Sequence, residues 1–375
     1  MLFKKFLIFL LAMFAVSLMG FLLNRQPNEE SIKSLIASEN ITNPINSGSS
    51  SSAEIYIQEI IKETGYDLPL FYLGLNTLAR YKSEQSSWRN WVPSIQWHGI
   101  KNQYHQWLFG NGEKRKGIIR GDFGKSLRDG SLVSIKLLPK IKWSIWLGVL
   151  AMLIACLAAI PSGIIAGYKA GGFFDHASGI LFLILYAMPP FFLGVLLLTF
   201  FSNPDYLDWF PSSGIMDPAV FNPQWTWPEK LKHHIPYLVL PVLTYAAIFF
   251  AYISRQIRDG IWEQMQMGYI RTARAKGLSE WQVLYRHAFR NTIIPMITIF
   301  SGLIPVALGG SIIIENIFSI PGIGHEIYES IVGRDHPVTI ALFLFYGTLT
   351  IGFYLLADVL YWIADPRLRI QSGNS

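Results

Sequence analysis

Four places in this 375-residue chain carry residue types whose spacing suggests chemistry. His325-Glu326 opens like a zinc-hydrolase helix, where a second histidine one turn on completes the metal site and the glutamate activates water. Here Ile327-Tyr328-Glu329 follow, so the second histidine is missing, and no G-x-S-x-G nucleophile elbow occurs. Gly124-Lys125-Ser126 imitates the end of a phosphate-binding loop. The earlier glycine of that motif would fall at Ile119, and no apolar strand leads in, so ATP binding by this chain is not expected. His233-His234 has no third ligand at metal spacing and reads as a loop pair. Cys156, the only cysteine, can form neither an intrachain disulfide nor a thiolate metal site. No catalytic residue, metal site or cofactor is therefore expected.

The remaining chemistry is that of a membrane. Hydrophobic residues make up 51% of the chain and charged residues 15%, against about a quarter charged in soluble domains, and the mean hydropathy is +0.32. The net charge of +6 is spread over loops and termini, so no basic face with an aromatic platform exists to bind nucleic acid. Ion-driven carriers place ionisable groups at the membrane midplane. Only Asp358 lies well inside an apolar run, and Glu315 falls at the outer end of one. Asp358 therefore reads as a paired or snorkelling side chain rather than a proton relay, and an ion-driven transporter and an intramembrane enzyme are both disfavoured alternatives.

About six spans are expected: 6–23, 141–168, 177–201, 236–253, 293–314 and 338–363. Lys4 and Lys5 precede the first, which is too long for a signal-peptide core and lacks a small-residue cleavage site, so a retained helix is expected. In the second, Ala151, Ala155, Ala159, Gly163 and Gly167 recur every fourth residue and make a small-residue packing stripe. Close backbone approach along such a stripe drives helix association in lipid; its partner helix lies in this chain or in a neighbouring one. Pro189-Pro190 should kink the third span. The short-loop cations Lys4, Lys5, Lys169, those of 255–290, Arg367 and Arg369 fall on one side if both termini are cytoplasmic.

Residues 24–140 are polar and interrupted and read as an external domain inserted after the first helix. Ser47–Ser52 resembles a flexible linker, and 55–62 a short amphipathic helix. The aromatic group Trp88, Trp91, Trp97, Tyr104 and Trp107 reads as the core of a small domain or its anchor at the lipid interface, rather than as a ligand platform. After the first helix (1–23) and this domain, 141–367 form the transmembrane core, with 255–292 as a cytoplasmic loop and 368–375 as a tail.

Within that loop, Tyr269 to Pro295 is basic and helix-forming although it lies between apolar runs. A helix through Ile270–Lys276 should stop at Gly277, which accepts the left-handed conformation that closes the last carbonyls. Ser279 and Gln282 then form a capping box that opens a second helix. Ala273, Ala275 and Gly277 are small enough for a partner to approach the backbone, and Arg271, Arg274 and Lys276 offer charge to an acidic rim.

The run TARAKGLSE with RHAFRN resembles the coupling, or EAA, loop of ATP-binding-cassette (ABC) permeases of the dipeptide/oligopeptide/nickel family. Arg271 and Thr272 stand at the Glu and first Ala positions of the general pattern. Ala273 and Gly277 match it, and Arg290 replaces its downstream proline, as in the B-type permease. Gly121–Leu127, Glu315–Phe318 with Pro321–Gly324, Arg334–Pro337 and Asp365–Arg367 resemble further marks of that family, as, more weakly, does Gly65–Pro69 with Phe71-Tyr72. The resemblance implies an all-α integral membrane protein with an ABC importer permease core, in the cytoplasmic (inner) membrane of a bacterium. It also implies a loop, Arg271, Thr272, Ala273, Arg274, Ala275, Lys276, Gly277, Leu278 and Ser279, seated in an ATPase subunit. Its implied partners are a second homologous permease, two ATP-binding-cassette ATPase domains, an extracytoplasmic solute-binding protein and membrane lipid.

Overall fold

A computed structural model of the protein describes residues 2–24, 67–76, 94–112 and 116–364. The Ser47–Ser52 tract, the 55–62 helix, Gly65, Tyr66, Trp88, Trp91, Asp365–Arg367, Arg369 and the 368–375 tail lie outside the described residues.

The chain divides into two compact units, one comprising 1–13, 137–332 and 345–375, the other 14–136 and 333–344. The described part of the first unit is mostly helical apart from the stretch 202–226, and the composition of its helices suits a bilayer. Helices or joined helices over Val133–Tyr168, Trp227–Met265, Pro295–Ile317 and His336–Leu360 are long and apolar enough to cross a membrane. A bent pair over Phe173–Phe201 makes a fifth candidate if it is one span. The first expected span is the 23-residue helix α1 (Leu2–Asn24), whose described apolar stretch, Leu7–Leu22, is shorter. The expected count of about six thus resolves into four candidates, a fifth made of two pieces, and α1.

A two-strand antiparallel ribbon, β1 (Leu73–Asn76) with β2 (Ser94–Trp97), precedes α2 (Gln103–Phe109). The helix α3 (Val133–Tyr168) follows, then α4 (Phe173–Ala187) and α5 (Pro190–Phe201). The α4–α5 junction is a corner of 100° rather than the expected kink. A residue before proline is driven out of the helical region, and here two successive residues obey: Met188 sits at ψ 121° and Pro189 at ψ 138°. Two forced extended residues turn the chain where one proline would only bend it.

The next helix, α6 (Trp227–Met265), is 39 residues long. At 1.5 Å per residue it measures about 60 Å, roughly twice the hydrocarbon core. It therefore begins before the expected 236 and carries on past 253 as one rod. Thr226 starts it: its backbone N–H and its hydroxyl both donate to Glu229, at 2.8 and 2.7 Å. Most of the expected loop 255–292 is consequently helical: the end of α6, then α7 (Gly268–Ala275), α8 (Glu280–Gln282), a π-helical stretch Val283–Phe289, and the start of α9 (Arg290–Leu308).

The fifth expected span breaks at Gly309-Gly310, where Gly310 takes φ +82°. Ser311 caps α10 (Ile312–Ile317) by accepting from the Ile314 N–H at 3.3 Å. Then come α11 (Ile323–Val332) and α12 (His336–Ala364). The core of this unit gathers around α6, whose Leu240, Tyr245, Phe249, Ile253, Ile257 and Ile261 are buried with residues of α3, α7, α9 and α10.

In the second unit, Tyr104 is buried and its ring packs against Phe14 and Phe21 of α1, Phe71 and Trp107. Its hydroxyl lies 2.6 Å from Ser17 Oγ. Of the expected aromatic group, Tyr104 is thus a core residue, and half-buried Trp107 packs against it. Trp97 stays exposed and stacks on Tyr72.

The Gly124-Lys125-Ser126 loop is held by an acid 209 positions away: Ser126 Oγ donates to Asp335, and the Leu127 N–H donates to the same carboxylate at 3.1 Å. Lys136 completes the cluster, 2.9 Å from Asp129 and 3.7 Å from Asp335. The Ser131 hydroxyl, followed by the ammonium of Lys136, holds the Asp129 carboxyl well below the usual range. The sequence that imitates a phosphate loop is in this way a brace between two stretches of one unit.

Candidate functional site

The corner between α7 and α8 is closed by backbone chemistry. The Leu278 N–H reaches back to Ala273 O at 3.4 Å and the Gly277 N–H to Arg274 O at 2.9 Å, the paired bonds that end a helix on a left-handed residue. That residue is Gly277, at φ +78°, and nothing lies within 4 Å of where its Cβ would be. Two residues on, Ser279 Oγ accepts from the Gln282 N–H at 3.4 Å, and Gln282 Oε1 accepts from the Ser279 N–H at 3.1 Å. α7 runs from Gly268 to Ala275 with Lys276 as its cap, so it begins two residues before and ends one residue before the expected 270–276.

Burial then sorts the side chains. Ile270 and Ala273 face inward with Val283, Leu284 and Ala288, so Ala273 is not available to a partner's approach. Arg271, Thr272, Ala275, Lys276, Gly277 and Ser279 are exposed, and Leu278 is half-buried. Arg274 turns back on the corner: Nε and Nη2 donate to Glu280 Oε1 and Oε2 at 2.8 and 3.0 Å. The guanidinium depresses the Glu280 carboxyl below its ordinary value, and the carboxylate raises Arg274 in turn. The Tyr168 hydroxyl at the end of α3 also donates to Glu280, at 3.2 Å. Arg274 therefore stiffens the corner, and the outward cations are Arg271 and Lys276.

The small-residue stripe of α3 faces α6 of the same chain. Ala151, Ala155 and Ala159 are buried. A Cβ on Gly163 would sit 2.7 Å from Ser254 O, and one on Gly167 2.6 Å from Arg258 O, so both glycines admit a neighbouring backbone where any side chain would collide.

Several acids on the helices are held by partners from other elements. Glu315, expected at a span's outer end, is fully buried. Ser144 Oγ donates to it at 2.7 Å and the His325 N–H at 3.0 Å, while Ser144 Oγ itself accepts from the Ile323 N–H at 2.7 Å. Glu315 thereby ties α3 to the start of α11, and the Pro321–Gly324 turn leaves room for it: a Cβ on Gly322 would overlap its carboxylate. His325-Glu326, the zinc-like pair, serves the same packing, with Glu326 2.7 Å from Lys140 Nζ. Asp175 in the first turn of α4 meets Arg258 of α6 through two hydrogen bonds, 2.9 Å from Nε and 2.6 Å from Nη2. Asp358 is half-buried on α12. His233 and His234 bind backbone groups, His233 Nε2 accepting from the Asp217 N–H at 3.2 Å and His234 Nδ1 lying 2.5 Å from Ile215 O.

This corner lies inside a stretch, residues 159–370, that matches the family of binding-protein-dependent transport system inner membrane components. The chain belongs to that family. The permease is similar to the oligopeptide transport system permease protein AppB of Bacillus subtilis, 33% identical over 71% of this chain and 80% of the relative. It is also similar to the dipeptide transport system permease protein DppB of Escherichia coli, 34% identical over 68% and 78%. A third relative, the peptidoglycan transport system permease protein YejB of Agrobacterium fabrum, is 34% identical over 68% and 69%. The protein is accordingly an ABC permease subunit of the inner membrane and not an enzyme; the family works with ATPase and solute-binding partners. The permease match begins within α3, so α1 and the described external-domain candidates before 133 lie ahead of it.

Proposed function

We propose that the α7–α8 corner of this permease is its mechanical contact with an ATPase subunit, and that the chain forms half of a pathway for peptides. The observation that carries the reading is the outward Gly277 at φ +78° with open space beyond its missing Cβ, flanked by the exposed cations Arg271 and Lys276. A closed corner of this kind offers a cleft a rigid, side-chain-free point with positive charge beside it. Rigidity comes from the Schellman bonds, the capping box and the Arg274–Glu280 fork, so displacement of the corner passes into α6 and α9 rather than being absorbed locally.

A second homologous permease completes the pathway, two ATPase domains sit under the pair, and an external solute-binding protein delivers cargo to the outer side. Nucleotide binding by the ATPases biases the pair between inward-open and outward-open states, because it favours the state in which the ATPases are closed. Both termini are cytoplasmic and 24–140 is external in this reading, which the distribution of short-loop cations supports. The printed names of the relatives support a peptide-class cargo.

Gly277→Val tests the contact. Left-handed geometry costs a residue with a Cβ about 1–2 kcal/mol, and the added bulk projects into the space reserved for the partner. The variant is expected to insert and pair with the second permease but to lose co-purification of the ATPase and substrate-stimulated ATP hydrolysis in reconstituted vesicles. Lys276→Glu should weaken the same contact more at low salt than at high salt, since exposed charges are screened beyond about 10 Å at 0.1 M. Full ATPase binding and wild-type uptake by Gly277→Val would reduce the corner to a connector.

A further inference from the structure

Asp175 and Arg258 have no part in the corner, yet they join the two helices that a moving corner would have to carry together. Arg258 is on α6 seven residues before its last, about 10 Å up the rod from Met265 at 1.5 Å per residue. Its guanidinium grips Asp175 through Nε at 2.9 Å and Nη2 at 2.6 Å, while Nη1 holds Asp259 at 3.0 Å and the Trp262 ring lies 5.8 Å beneath it. Asp175 also accepts the Gly171 N–H at 2.9 Å, so the carboxylate fixes the α3–α4 turn as well. Its place in the first turn of α4 adds the favourable end of that helix's dipole. Side-chain exposures of 11% for Asp175 and 27% for Arg258 keep most water out, and a two-point fork fixes orientation as well as distance. One turn away, Gly167 brings α3 against Arg258 O.

Resting on the reading of the corner as the ATPase contact, we infer that the Asp175–Arg258 fork is a transmission clamp: it makes α4 and the α3–α4 turn follow α6 when the corner is displaced. α4 ends in the 100° corner at Met188–Pro189 and α5 leads away from it, and both helices pack on α6. Movement passed to the base of α4 therefore reaches a broken segment, where backbone groups freed by two prolines demand water or polar neighbours. Asp175 and Arg258 are positioning residues in this scheme; neither touches cargo or nucleotide.

The test uses the complete transporter in proteoliposomes, with Cys156→Ser as background and Leu183→Cys, an exposed site on α4, as reporter. The parent should show a change in thiol-labelling rate at Leu183→Cys when ATP and vanadate are added. Asp175→Asn should retain ATPase association and ATP hydrolysis, yet lose at least about fivefold of that ATP-dependent change, the lower range of ordinary coupling between sites. Arg258→Lys keeps the charge but loses the fork and should fall between the two, which supplies the reading if Asp175→Asn fails to assemble. Joining Asp175→Cys to Arg258→Cys with a short bismaleimide linker should restore uptake of trialanine lost in the unlinked double variant. An unchanged labelling response in Asp175→Asn and Arg258→Lys, no response in the parent, or a linker that abolishes uptake would each overturn the clamp. Gly277→Val separates the two ideas, because it abolishes ATPase association if the corner is the contact whatever the fork does.

Discussion

Glu280 shows how one residue sets the corner's stiffness. Its carboxylate receives both arms of Arg274 and the Tyr168 hydroxyl, and its pKa is lowered chiefly by Arg274. A carboxylate whose folded pKa is depressed stabilises the fold above the unfolded value and loses that contribution as pH falls through the folded one. Both side chains are near half exposed, 43% and 50%, so the pair contributes less than about 1 kcal/mol. The expected effect is local. Glu280→Gln should speed hydrogen exchange of the Gly277 and Leu278 amides at pH 7, and the wild-type protein should approach the variant's rates as pH drops below the ordinary carboxylate range. Equal exchange in the two proteins at pH 7 would show that Arg274 does not brace the corner.

At the scale of elements, α3 and α6 form a close helix pair whose geometry depends on glycine. The stripe predicts close packing without naming the partner; Gly163 and Gly167 face Ser254 O and Arg258 O of this chain. Gly163→Leu would drive a branched side chain into the α6 backbone, an overpacking that costs about 1–3 kcal/mol or more. The variant is expected to lower the detergent unfolding midpoint of the isolated permease itself, while Gly179→Leu on α4, where nothing lies within 4 Å of the added Cβ, should not. Equal midpoints for the two variants would mean the stripe does not hold α3 to α6. The π-helical stretch Val283–Phe289 joins α8 to α9, and no residue type in VLYRHAF announces it.

For the whole molecule, the prediction is topological. The cations of the 255–290 loop and its neighbours lead us to expect their face in the cytoplasm, and the long polar insertion after α1 on the other side. A cysteine label near Ser50, in the Cys156→Ser background, is expected to react with a membrane-impermeant thiol reagent added to spheroplasts. Protection until the membrane is permeabilised would invert the orientation. Residues 14–136 and 333–344 group into one compact unit, which takes in the start of α12 as well as described residues between α1 and α3. The Ser126, Leu127 and Lys136 contacts to Asp335 are among those that join those two stretches.

What the sequence determined by itself is local. The Gly277 stop and the Ser279–Gln282 box are bonds among residues a few positions apart, so residue type alone dictates them, and membrane residence follows from composition because a bilayer selects for apolar length. The tertiary structure decided everything that depends on distant partners. Asp335 meets Ser126 across 209 positions, Glu315 meets Ser144 across 171, and Arg258 meets Asp175 across 83. Each is an ordinary polar residue until packing removes water from it. Burial then makes an unpaired charge too costly to keep, and which partner relieves that cost is set by where the helices cross rather than by any spacing along the chain.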